Sequence, residues 1–80
     1  MTTQTAQALI DANIPAEGTA FIHPRIISEM LGVTTEAVAS MGRDGRLPEP
    51  IKLSRKCLRY PREMTRAALL RLLTGEGGAQ

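Results

Sequence analysis

The tetrapeptide Leu47-Pro48-Glu49-Pro50 divides this chain more firmly than any other feature of it. Proline fixes φ, lacks an N–H and pushes the preceding residue into extended backbone, so two prolines at alternate positions cannot be helical. The chain must run extended through this link, and separate elements must form on either side. Before the link the apolar spacing is helical. After it, the spacing first alternates and then becomes helical again.

Pro24 suits the first position of a helix, where a missing N–H costs nothing. Ile26, Ile27, Met30 and Leu31 then mark one helical face, and Gly32 supplies the left-handed C-cap that ends it. Thr34 is the expected N-cap of a second helix, with Glu36 favourable in its first turn and Val38 and Met41 facing inward. Gly42 weakens its last turn, and Asp44-Gly45 closes it. Beyond the link, Ile51-Lys52-Leu53 and Leu58-Arg59-Tyr60 alternate around Ser54-Arg55-Lys56, predicting a hairpin with one apolar and one basic face. Pro61 opens a last helix whose buried stripe is expected from Met64, Ala67, Ala68, Leu70 and Leu73, with Gly75 as terminator. The first segment is weakly patterned: a short helix over Thr5 to Ala12, then a loop punctuated by Pro15 and Gly18. The expected organisation is a flexible N-terminal arm over 1–20, a folded domain over 21–73 and a flexible tail over 74–80.

With one Phe, one Tyr and no Trp, the core must be aliphatic, which suits packed helices. The fold class expected is mainly α with a small β-hairpin. The single Cys57 excludes an internal disulfide and a CxxC-type zinc site. His23 has no ligand at metal spacing and reads as a capping or surface residue; no catalytic triad or phosphate-binding glycine loop is present. The chain is therefore expected to be neither an enzyme nor a cofactor or metal binder. Its N-terminus lacks a basic segment followed by an apolar one, and no apolar run approaches the ~20 residues of a membrane span. A cytoplasmic, nucleoid-associated location and no membrane partner are expected.

Charge is distributed unevenly. Residues 1–40 carry one base (Arg25) against four acids (Asp11, Glu17, Glu29, Glu36), a net of −3. Residues 41–80 carry nine bases (Arg43, Arg46, Lys52, Arg55, Lys56, Arg59, Arg62, Arg66, Arg71) against four acids (Asp44, Glu49, Glu63, Glu76), a net of +5. That asymmetry points to a polyanion as partner of the second half. Within 24–43, the small Ser28, the turn Gly32 and the inward Val38 and Met41 have the spacing of a DNA-binding helix-turn-helix. Thr34, Thr35, Glu36, Ala39, Ser40 and Arg43 then face the major groove of double-stranded DNA, although only Arg43 among them can make a bidentate guanine contact. Lys52, Arg55, Lys56 and Arg59 on the hairpin, flanked by Arg46 and Arg62, form the stronger electrostatic element.

Phe21-Ile-His-Pro-Arg-Ile-Ile-Ser-Glu-Met-Leu-Gly-Val-Thr34, Gly45-Arg-Leu-Pro-Glu-Pro-Ile-Lys-Leu-Ser54 and Leu58-Arg-Tyr60 together resemble the excisionase and AlpA-type winged helix-turn-helix proteins. The most specific part is the Gly-x-(Phe/Leu)-Pro-x-Pro link leading into the basic wing. The resemblance covers about residues 21–72 and implies a second helix in the major groove, with Arg55 and Lys56 as a wing tip in the adjacent minor groove. It also implies one of two roles: a recombination directionality factor that loads on repeated sites beside an integrase of the tyrosine recombinase type, or a transcriptional regulator of a mobile element. The chain departs from the family in having Tyr60 in place of a frequent Trp, no glycine in the wing turn, and no base near the start of the second helix. A weak recognition face favours the first role, with head-to-tail self-association along DNA. A protein-interaction module, such as an anti-repressor using the arm, is the reading from another class.

Overall fold

The computed structural model describes residues 1–75. They form α1 (Thr3–Asn13), β1 (Phe21–Ile22), α2 (Pro24–Leu31), α3 (Thr35–Arg43), β2 (Ile51–Ser54), β3 (Cys57–Pro61) and α4 (Arg62–Thr74). The architecture is mainly helical, with a small antiparallel sheet in the order β1-β3-β2. The residues 76–80 of the expected tail lie outside the described part, while Thr74 belongs to α4 and Gly75 is its left-handed C-cap.

The α2–α3 pair forms as its punctuation demands. The His23 Nδ1 accepts the Arg25 N–H at 3.0 Å and caps α2. Gly32 closes that helix at φ 71°, a conformation open to glycine at little cost. Thr34 Oγ1 accepts the Ala37 N–H at 3.1 Å and starts α3, with Glu36 and Arg43 at the ends the helix dipole favours. Ser28 is buried, its hydroxyl donating to the Arg25 carbonyl at 2.9 Å, and Ile27, Val38 and Met41 join one core with Tyr60 and Leu69. The Arg46 and Leu47 N–H groups both donate to the Met41 carbonyl, which tucks Leu47 into that core and sends the proline link back along α3.

The expected two-faced hairpin does not form. A regular ladder around the Arg55-Lys56 turn would set Leu53 opposite Leu58 and Ile51 opposite Tyr60. Instead Lys52 pairs with Leu58 and Ile51 with Arg59, because the register slips between Lys52 and Ser54. A one-residue slip moves side chains to the other face, so each face mixes apolar and basic residues. Ile51 and Leu53 are consequently 43% and 59% exposed. The cause lies in the turn. Among the described residues no non-glycine residue has positive φ, so Arg55-Lys56 does not form one of the primed turns that match strand twist. The slip next to it takes up the mismatch.

The flexible-arm expectation is also corrected. α1 packs on α4 and buries Ala6, Ile10 and Ile14. These lie four apart, a narrow stripe whose smallest member carries little periodic signal. Because α4 turns toward α1, its buried residues are Thr65, Ala68 and Leu69, while Met64 is 60% exposed and Ala67 is also exposed. Thr65 Oγ1 is buried without a hydrogen-bond partner among the described residues. Among those residues no helix is long and apolar enough to cross a membrane.

Candidate nucleic-acid interface

Tyr60, 1% exposed, fixes the hairpin to the helices. Burial raises its phenol above the ordinary range, with the nearby Arg43 charge opposing, so the hydroxyl is neutral at pH 7. The proline link lies against the last turn of α3: a methyl group added at Gly42 would sit at ordinary van der Waals distance, 3.6 Å from Tyr60 Oη and 3.7 Å from Pro50 Cδ. β2 and β3 are thereby held beside the exposed flank of that helix.

Between them runs an open groove. One stretch is bounded by Thr35, Glu36 and Ala39 of α3, by Lys56, Leu58 and Arg59 of the hairpin, and by His23. The other continues past Ala39 and Leu58 to Arg43 and Lys52, with Glu49 and Pro50 at its wall. The groove therefore carries four bases, Arg43, Lys52, Lys56 and Arg59, against two acids, Glu36 and Glu49. Arg55 stands exposed at the hairpin apex. Among the described residues Arg43, Lys52, Arg55 and Lys56 make no ion pair and donate no side-chain hydrogen bond, whereas Arg59 gives one to the Leu58 carbonyl at 2.7 Å. A helix flank and a two-stranded ribbon with unpaired cations on one groove form a surface suited to a polyanion.

The remaining expected site residues lie elsewhere. Thr34 and Ser40 do not line the groove; Thr34 uses its oxygen to cap α3, and Ser40 is half-buried. Arg46 is on the surface, paired with Asp44 at 2.8 Å. Arg62 turns toward the N-terminal loop, donating to the Pro15 carbonyl at 2.7 Å, the Thr19 carbonyl at 2.6 Å and Thr19 Oγ1 at 3.2 Å. A residue expected on the flank of a binding surface is thus an internal brace. Two groove residues not foreseen are His23 and Glu49. His23 was legible as a cap, and its place on the groove follows from where α2 begins. Among the described residues no three His, Cys, Asp or Glu side chains cluster as metal ligands.

Comparison with protein-family models, with curated proteins and with solved structures finds no match to this chain.

Proposed function

We propose that the chain is a winged helix-turn-helix protein that binds double-stranded DNA, with α3 in the major groove, the β2–β3 wing along the adjacent backbone and minor groove, and no catalytic role. The observation that carries this reading is the shared groove, with Arg43 contributed from the helix and Lys52, Lys56 and Arg59 from the ribbon. Within that class, the resemblance of the Gly45–Pro50 link and wing to excisionases supports a recombination directionality factor. Such a factor loads side by side on repeated sites, bends them and favours integrase-mediated excision of a mobile element. The near-neutral face of α3 supports it further: Thr35, Glu36 and Ala39 discriminate bases weakly, so repeated sites must supply specificity. A transcriptional regulator of the same fold would instead act at a promoter without an integrase. A protein-interaction role through the arm has little left to use, since Ala6, Ile10 and Ile14 are spent in the core.

The test is binding to duplex DNA across a salt series. With Arg43, Lys52, Arg55, Lys56 and Arg59 each meeting a phosphate, log K falls with log salt at a slope near −4 to −5. A slope near zero sinks the reading. Footprinting beside an integrase attachment site then separates the roles: several spaced repeats fit the directionality factor, and one isolated palindrome fits the regulator.

A further inference from the structure

The register slip in the wing does two things at once. It turns Lys52 onto the face of Leu58, where both line the groove, and it leaves Leu53 with no partner on β3. Leu53 is 59% exposed, between Lys52 and the basic Arg55-Lys56 apex. A large aliphatic side chain in that position covers none of the core. Bulges of this kind commonly re-aim a side chain, and they also twist a sheet edge away from pairing with another strand. The short β2, its lysine and its bulge all oppose strand addition at this edge. The like charges of the wing oppose a second copy there as well. The ligand that the surrounding cations favour is a polyanion.

Resting on the DNA-binding reading above, we propose that Leu53 is an apolar wedge that the wing seats in the minor groove, where it partly unstacks one base step and bends the duplex. Lys52, Arg55 and Lys56 hold the flanking phosphates and bring the leucine to the groove floor. Aliphatic side chains inserted between base steps kink DNA in this way, most easily at pyrimidine–purine steps. Leu53 thus gives a protein with a weak reading helix a means of preferring deformable sites.

The experiment uses the full chain and end-labelled duplexes of about 30 base pairs, with either a central TA step or a stiff A-tract. Bend is followed by energy transfer and affinity by anisotropy, for the wild type, L53A and L53M. The wild type should bend the TA duplex and prefer it. L53A should lose about tenfold in affinity for it, along with the bend and the preference, while keeping the same salt slope because no phosphate contact is removed. L53M, still long and apolar, should retain bend and preference. If L53A bends and discriminates like the wild type, the wedge is overturned, DNA binding stands, and Leu53 is left for a protein contact. If the wild type binds neither duplex, the DNA-binding reading falls and the wedge with it.

Discussion

Two pairs of bases in the same half of the chain have opposite fates. Arg62 and Arg66 point inward across the molecule: Arg62 to Pro15 and Thr19, Arg66 to the Ile14 carbonyl and, at 2.8 Å, to Asp11. Arg55 and Lys56 stand at the hairpin apex with no partner among the described residues. Every acceptor of the first pair belongs to the acidic N-terminal half. One of these bases, Arg66, is therefore paired with an acid of that half, Asp11, and Arg62 is held by neutral acceptors, so both are taken up within the fold. Arg66 supplies a donor to the C-cap carbonyl of α1, Ile14, which has none within the helix, and Arg62 supplies donors to the loop that follows. A count of charges cannot separate a brace from a free tip, whereas hydrogen-bond partners do.

The sharpest way to break this contrast is to remove each pair in turn. R62A/R66A should lower unfolding stability by about 3 kcal/mol, since it deletes several charge-assisted hydrogen bonds and frees α1 from α4, with some discount for solvent exposure. R55A/K56A should leave stability within about 0.5 kcal/mol of wild type. Chemical denaturation followed by circular dichroism measures both. Equal stabilities for the two variants would erase the distinction.

Next in size is the effect on DNA. R55A/K56A should make the salt slope of duplex binding shallower by about 1.8, for two phosphates no longer neutralised. R62A/R66A, assayed where it is still folded, should leave the slope unchanged. A shallower slope in the second variant would put Arg62 back on the binding surface.

The same contrast shows how far the sequence could be read. The α2–α3 pair was legible to the residue because each boundary is a local event: Pro24, Gly32 and Thr34 act on their own backbone. The basic β2–β3 segment was legible as a hairpin, and Lys52, Lys56, Arg59 and Arg43 do share one groove. What escaped were the non-local choices. Which face of α4 is buried depends on α1, whose Ala6–Ile10–Ile14 stripe is too narrow to announce a core helix. Whether Leu53 pairs with Leu58 depends on a turn lacking any residue at positive φ. Arg62 resembles Arg59 in the sequence, and only packing sends it the other way.

The smallest effect probes what holds the brace. The hydrogen bond from Arg66, aided by one from Gln7, keeps the Asp11 carboxyl below its ordinary value of 3.8. A carboxylate with a depressed folded pKa contributes stability that is fully present above its unfolded value and is lost as pH falls through the folded one. Wild type should therefore exceed D11N slightly in thermal midpoint at pH 7, and the two should converge in acid, below about pH 4. The difference should stay small, because Asp11 is half exposed and an exposed ion pair contributes little. Arg66 keeps its bond to the Ile14 carbonyl in D11N, and Arg62 keeps all of its own. A loss in D11N as large as that in R62A/R66A would mean that the ion pair, rather than the carbonyl contacts at the end of α1, ties the two halves together.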